Sequence, residues 1–183
     1  LSDIDQWLKL FSKGLAADQK KFGIELIGGD TITSLGPTSI CISIFGTPNS
    51  KGSLLRSGAK VGDGIFVSGT IGDAALGLML RGNMSLSCSS KENSYCISRY
   101  RIPRPRIDLG LALGGMASAA MDISDGLFQD LSHLCGASNV SGSVEANKIP
   151  LSKEVSSFVN ENKFSIEQVI SGGDDYELVF TAP

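Results

Sequence analysis

Three short segments of this 183-residue chain combine glycine with aspartate in a pattern suited to phosphate and metal chemistry. They are GGDT with Asp30, MDISDG with Asp122 and Asp125, and SGGDDYEL with Asp174. Mg²⁺ prefers oxygen ligands and usually joins one or two carboxylates to the phosphates of a substrate. Glycine before an acidic residue allows a ligand to approach the backbone closely. The three segments therefore indicate metal-assisted phosphate chemistry.

Each segment, taken alone, also has a simpler structural explanation. Gly29 and Asp30 suit a tight turn as well as a metal site, and Ser124 or Asp125 could cap the helix that follows. Two carboxylates as close as Asp122 and Asp125, however, repel each other unless a cation lies between them. The N-terminus of a helix also favours a phosphate. The recurrence of the pattern therefore favours a metal and phosphate site over three unrelated turns.

Other segments could also contact an anion. Residues 69–77 (GTIGDAALG) lack the Lys and Ser/Thr of a P-loop and the GxGxxG spacing, so they predict a capped helix start with small residues packed closely. The guanidinium of Arg56, beside a tight turn, suits phosphate, although a surface position is the simpler alternative. The arginines of residues 99–106 (RYRIPRPR) are predicted to form a solvated rim, although the prolines could present them to an anion.

Composition excludes several classes of function. The net charge of −3 leaves no basic field for a nucleic acid partner. The four cysteines have no CxxC spacing, which predicts reduced thiols and no zinc site. The only histidine, His133, is predicted on a helix surface, so no Ser/His/Asp or Cys/His set supports covalent hydrolysis. The sequence contains no run of about 18 apolar residues, so it predicts no membrane span. It also shows no secretory signal, basic and then apolar, before the first helix.

Hydrophobic spacing predicts an α+β fold with a mixed sheet packed by helices. In its first part we expect a helix from Ile4 that stops at Gly23, strands at 24–27 and 38–45, and a domain boundary within 47–53. Later strands are expected at 65–68, 142–146, 176–181 and in a segment ending at Ile123. Later helices are expected from Asp73, over 106–117, from Leu127 to Gly136 and over 152–160, and a mobile polar loop over 83–94.

Several motifs occur in one order along nearly the whole chain: LIGGDT, RSGAKVGD, SGTIGDAALGL, RIPRPR, MDISDGL, DLSHLC, IPLS and SGGDDYELVFT. In these motifs the chain resembles the thiamine-monophosphate kinases, which belong to the aminoimidazole ribonucleotide synthetase superfamily. GGDT alone would fit several members, whereas MDISDGL and DLSH together with GGDDYEL are more particular to this kinase. The resemblance implies a cytoplasmic homodimer that transfers the γ-phosphoryl group of ATP directly to thiamine monophosphate.

The resemblance also implies roles for individual residues and for the two parts of the chain. Residues 1–48 would be the end of an N-terminal ATP- and metal-binding α/β domain, and 49–183 most of a C-terminal α+β domain. Segments at both ends of the family's subunit would then be missing, so this fragment alone is expected to be inactive. Some relatives have Glu at the position of Asp174. The implied sites are Asp30, Asp122 and Asp125 for Mg²⁺, Gly29, Arg56 and Ser124 for ATP, and Asp174 for thiamine phosphate.

Two other functions remain open from the sequence. One is another ATP-dependent synthetase of the same superfamily, acting on a different small substrate. The other is a nucleotide-binding or dimerisation module without catalysis of its own.

Overall fold

The computed structural model describes residues 3–48, 50, 52–82 and 90–183. The chain divides into two compact units, Leu1–Phe45 and Gly46–Pro183. The assignment of residues 1–48 to the end of an N-terminal ATP- and metal-binding domain stays a prediction.

The first unit contains one long helix, α1 (Ile4–Phe22). The Asp3 carboxylate caps its N-terminus by accepting the Gln6 amide at 2.9 Å. Gly23 ends the helix in the left-handed conformation, with φ of +64°, and its N–H donates to the Gln19 carbonyl. The predicted helix and its stop at Gly23 are confirmed.

The two strands predicted in the first unit are absent. Residues 24–34 and 38–48 have neither helix nor strand, and the alternating side chains of Ile40, Ile42 and Ile44 are exposed. The prediction rested on alternation, which describes a strand with one buried face. A strand also needs a hydrogen-bonded neighbour, and no segment described in this unit supplies one.

The second unit contains the sheet and the remaining helices. Its elements alternate irregularly, as expected for an α+β fold. In chain order they are β1 (Gly64–Val67), α2 (Asp73–Gly82), α3 (Ser90–Arg101), α4 (Ile107–Leu113), β2 (Ala119–Ile123), α5 (Leu127–Ser138), a 3₁₀ turn (Ala146–Lys148), α6 (Lys153–Asn160), α7 (Ile166–Ser171) and β3 (Glu177–Ala182).

The described sheet has three strands in the order β1-β3-β2. β3 is central and pairs antiparallel with both neighbours, placing Phe180 opposite Phe66 and Val179 opposite Met121. Alternate side chains of β3 are buried, namely Glu177, Val179 and Thr181, so one face of the strand lies against the core. The α+β class is confirmed, and both described pairings are antiparallel where a mixed sheet was predicted.

Helix α5 packs directly on β2 and β3, and α2, α6 and α7 complete the apolar core. This core is built from aliphatic side chains together with Phe158, Phe164, Met121 and Cys96, which lose their contact with water on folding. The fully buried members include Ile71, Leu76, Ile123, Leu134, Val155, Val169 and Val179.

Several element boundaries differ from the prediction. Residues 83–89 of the expected polar loop lie outside the described residues, and from Ser90 the chain is already helical in α3. α5 continues past Gly136 and ends at Asn139, which has φ of +54° and takes the left-handed role assigned to the glycine. Residues 142–145 are not a strand, and α4 ends before Gly114.

α7 was missed because it is only six residues long. Its signal was nevertheless present as a capping box, in which Ser165 and Gln168 exchange side-chain and backbone hydrogen bonds.

No helix among the described residues is long and apolar enough to cross a membrane.

Helices α2 and α3 approach so closely that Gly77 has no room for a side chain. A β-carbon there would overlap the backbone carbonyl of Cys96. We expect Gly77→Ala to lower the free energy of unfolding by about 1–3 kcal/mol, since overpacking forces the backbones apart. Gly136→Ala is the matched control, because it lies within α5 with open space around it. It should raise stability by up to about 1 kcal/mol through helix propensity. Equal urea midpoints for the two variants would contradict the packing argument.

Candidate functional site

The end of β2 and the start of β3 lie at the same edge of the sheet because the two strands are antiparallel. Two loops meet there: the β2–α5 loop (residues 124–126) and the pre-β3 loop (residues 172–176). The Ser124 carbonyl accepts the Asp174 amide at 2.9 Å, and the Ile123 carbonyl accepts the Tyr176 amide at 2.9 Å. These bonds bring together the second and third aspartate segments identified in the sequence.

Glycines allow this contact between loops. A β-carbon at Gly173 would overlap the Ser124 carbonyl oxygen, and one at Gly172 would overlap the side chain of Ala75. Gly126 has φ of +114°, and a β-carbon there would lie 2.9 Å from the backbone of Ser171. The space beside Gly172 and Gly173 is therefore filled by this chain's own atoms.

The pre-β3 loop holds two non-glycine residues in the left-handed region. Asp174 has φ of +69° and Tyr176 has φ of +49°. Aspartate tolerates this conformation better than most residues, whereas for a bulky tyrosine it is strained. Such strain persists only where the surroundings fix the backbone, as the two hydrogen bonds to the β2–α5 loop do here.

The candidate ligand side chains remain open to solvent at this edge. Asp122 on β2 and Asp125 in the β2–α5 loop are exposed, while Ser124 and Asp174 are half-buried. Gln129 donates to the Asp125 carboxylate at 3.3 Å. No group of three or more potential metal ligands comes together among the described residues. One or two carboxylates nevertheless fit Mg²⁺ that is held in part by substrate phosphates.

Asp130 holds the β2–α5 loop and was not singled out from the sequence. This residue lies in the first turn of α5, is 2% exposed, and accepts the amides of Ser124 at 2.9 Å and Asp125 at 3.0 Å. The sequence signals were its place at the start of the DLSHLC motif and its spacing five residues after Asp125, in the first turn of the following helix. Neither Ser124 nor Asp125 caps α5, because its N-cap position is occupied by Gly126 without a side-chain bond.

Asp175, the neighbour of Asp174, has a separate structural task. Its carboxylate is fully buried and accepts the amides of Gly72 at 2.7 Å and Ala74 at 3.1 Å, at the N-terminus of α2. Burial raises the pKa of Asp175 to about 6, and nearby Asp73 adds to the rise. The two amides and Arg99 oppose that rise by stabilising the charged form. The helix start predicted for residues 69–77 is thus capped by the carboxylate of Asp175, which is distant in the sequence.

Glu177, also fully buried, accepts bonds from three elements. Arg99 donates to it at 2.7 Å, Arg106 donates through Nε at 2.6 Å, and the Ser68 hydroxyl donates at 2.6 Å. Arg99 also donates to the Asp175 carbonyl at 3.3 Å. The prediction of a solvated arginine rim is therefore wrong for Arg99, which is 2% exposed, and for Arg106, which is 33% exposed. It holds for Arg101, which is exposed.

Asp73 completes the buried charge cluster. Its Oδ2 accepts the hydroxyls of Thr70 at 2.6 Å and Tyr95 at 3.0 Å, and lies 3.7 Å from Arg99 Nε. Burial, followed by the negative charge of Asp73, raises the pKa of Tyr95. Asp73, Glu177, Arg99 and Arg106 are thus joined in one network, which also reaches the Asp175 carbonyl through Arg99.

The backbone around Arg56 lies beside the start of β2 and the end of α5. The Arg56 carbonyl accepts a bond from Ser138 at the end of α5, and the Leu55 carbonyl accepts the Ala120 amide at the start of β2. Ser124, which directly follows β2, is four residues from Ala120, roughly 13 Å along the strand direction. Arg56 is exposed, and its predicted role is not tested by this geometry.

Gly29 and Asp30 belong to the first unit. Both are exposed, and the Asp30 carboxylate accepts the Thr31 amide at 2.8 Å. Their assignment to ATP and Mg²⁺ stays a prediction.

The predicted surface position of the histidine is confirmed. His133 is exposed on α5. Cys41, Cys96 and Cys135 are free thiols, and burial raises the pKa of Cys96 to about 12. Cys88 lies outside the described residues.

The buried carboxylate of Asp175 predicts a pH dependence of stability. Its pKa is about 6 in the folded chain against 3.8 ordinarily, so the unfolded state loses its proton first as the pH rises. Stability contributed by this group is complete below about pH 4 and is lost as the pH passes about 6. Relative to Asp175→Asn, the free energy of unfolding should fall by about 3 kcal/mol over that window.

Urea unfolding at a series of pH values measures this difference. Asp108→Asn, at an exposed position in the first turn of α4, should follow the unsubstituted protein at every pH. Parallel curves for Asp175→Asn and the unsubstituted protein would show that burial does not perturb Asp175.

Comparison with known proteins places this geometry in a family. Residues 60–182 match the family described as AIR synthase related protein, C-terminal domain. The thiamine-monophosphate kinase of Escherichia coli (strain K12) is 41% identical over all of this chain, which spans 56% of that relative's length.

Two solved structures are similar to the chain. A thiamine-monophosphate kinase from Stenotrophomonas maltophilia K279a has a TM-score of 0.65 and 39% identity, covering 73% of this chain and 43% of that one. AaThiL complexed with AMPPCP and TMP has a TM-score of 0.65 and 40% identity, covering 71% and 42%. Since the family match covers β1 to β3 and all the elements between them, this chain belongs to the AIR synthase related proteins and carries their C-terminal domain.

Proposed function

We propose that the protein containing this chain phosphorylates thiamine monophosphate with ATP, giving thiamine diphosphate and ADP. The observation that carries the proposal is the joining of the β2–α5 loop, which follows Asp122 and contains Asp125, to the pre-β3 loop, which contains Asp174. The similarity to thiamine-monophosphate kinases extends over the whole chain. A similar structure was solved with AMPPCP and TMP, the ligand classes that this reaction requires.

The residues at the sheet edge divide the task in this proposal. Asp122 and Asp125, both exposed, would hold Mg²⁺, and the half-buried Ser124 would contact the nucleotide. Asp174 would lie at the thiamine phosphate, a role implied by the resemblance of the SGGDDYEL motif. Aspartate instead of glutamate at this position shortens the reach of the carboxylate and keeps its charge.

The chemistry needs positioning more than a nucleophilic side chain. A phosphate oxygen of thiamine monophosphate forms a bond to the γ-phosphorus, and the bond from that phosphorus to the β–γ bridging oxygen breaks. Bound Mg²⁺ would neutralise the charge of the phosphates at this step. The exposed carboxylates cannot themselves attract a polyphosphate, so their role is to hold the cation in place.

The remaining assignments concern the whole protein. Asp30 would provide a further carboxylate to Mg²⁺, and Gly29 and Arg56 would contact ATP. We further propose that the protein acts as a homodimer in the cytoplasm. These proposals are supported by the resemblance of the LIGGDT and RSGAKVGD motifs.

The direct test is product formation by the protein expressed from its whole reading frame. With ATP, Mg²⁺ and thiamine monophosphate, we expect equal amounts of ADP and thiamine diphosphate, measured by chromatography. ADP release with another small substrate, and none with thiamine monophosphate, would instead favour a synthetase. Tight binding of ATP in calorimetry without turnover of any substrate would favour a binding module.

Substitutions at the sheet edge test the assigned roles. Asp122→Asn and Asp125→Asn should each lower kcat/KM by on the order of 100-fold, because each removes a charge that positions the cation. Neither change should alter the melting temperature by more than about 2 °C, since both side chains are exposed. Asp108→Asn, an exposed change elsewhere in the same unit, should retain full activity. Full activity in both sheet-edge variants would refute the assignment of these carboxylates.

A further inference from the structure

We infer that Asp130 is a positioning residue for the site: its buried carboxylate sets the backbone from which Ser124 and Asp125 extend. The inference deepens the proposed function and rests on it for the identity of the ligand. Asp130 does not itself face the sheet edge, because it is 2% exposed and its Oδ2 is turned to the two loop amides.

Geometry supports this role more than a role as an ordinary helix cap. A capping side chain usually lies before the helix and accepts amides of the first turn. Asp130 does the reverse, since it lies inside the first turn of α5 and accepts amides from the loop before the helix. One oxygen receives both bonds, so the amides of two successive residues must converge on one point.

The charge of Asp130 strengthens this constraint. Hydrogen bonds to an ionised acceptor are about twice as strong as those between neutral groups, and burial limits competition from water. Asp130 forms no ion pair with any other described residue, so the two amides are the partners that compensate its charge. If the loop moved outward, the buried carboxylate of Asp130 would lose its two hydrogen-bond donors, and this loss costs free energy.

The same bonds determine how a phosphate can bind. The amides of Ser124 and Asp125 are already occupied, as are those of Gly72 and Ala74 by Asp175. An anion at this edge therefore cannot use these four amides as a cradle. Side chains and a cation must bind it instead, and their positions depend on the loop that Asp130 holds.

Hydrogen exchange tests the constraint directly in the full protein. The amides of Ser124 and Asp125 should exchange slowly although Asp125 is exposed. Asp130→Asn keeps the shape of the side chain and removes its charge. In this variant the Ser124 and Asp125 amides should exchange at least about tenfold faster, while the exchange rate of the Leu134 amide in α5 should stay unchanged. Fast exchange at both amides of the unsubstituted protein would overturn the inference without any variant, so failure of the variant to fold does not prevent the test.

Function provides the second readout. We expect Asp130→Asn to weaken binding of ATP with Mg²⁺ in calorimetry, or to lower kcat, by about 10–100-fold, as for residues that orient metal ligands. The KM for thiamine monophosphate should change less than twofold. Asp108→Asn, the matched change in the first turn of α4, should alter none of these quantities.

The outcomes separate this inference from the proposed function. Faster loop exchange with unchanged nucleotide affinity and kcat would make Asp130 a folding residue only and overturn the inference. If the unsubstituted protein fails to phosphorylate thiamine monophosphate, the proposed function fails. In that case exchange and nucleotide affinity still decide the role of Asp130.

Discussion

The buried carboxylate of Glu177 is the interaction on which the arrangement of the second unit depends. It lies at the first residue of the central strand β3, and its partners come from three other places in the chain: Ser68 after β1, Arg99 on α3 and Arg106 before α4. A charge removed from water must be compensated by hydrogen bonds and opposite charge, so these segments cannot separate without exposing an unpaired ion. The network therefore fixes where β3 begins.

The pre-β3 loop inherits its position from that network. Arg99 binds both Glu177 and the carbonyl of Asp175, and the Asp175 carboxylate holds the start of α2. Breaking a buried pair by removing one partner typically costs about 3–5 kcal/mol, which makes such a cluster a stringent constraint on geometry. The same loop contains Asp174 and Tyr176, whose left-handed backbones are held by hydrogen bonds to Ser124 and Ile123.

The two loops at the sheet edge combine internal and outward-facing carboxylates. Asp130 and Asp175 are turned inward and occupy backbone amides, whereas Asp122 and Asp125 are exposed. Aspartates of both kinds stand within a few residues of one another, and sequence spacing does not distinguish them. Burial distinguishes the two kinds of aspartate, because a buried carboxylate requires hydrogen-bond donors from the chain, whereas an exposed carboxylate is free to bind a cation.

The sequence by itself determined the α+β class, most helices of the second unit and the segments that carry the candidate site, because hydrophobic period and turn residues are local properties. The strands that it predicted at 24–27 and 38–45 are absent, since a strand depends on a paired neighbour as well as on its own residues. The sequence also did not show that Arg99 and Arg106 are buried, because their partner Glu177 is more than 70 residues away. Only the tertiary structure decided which aspartates bind the chain's own amides and which remain exposed, because that choice depends on contacts between distant loops.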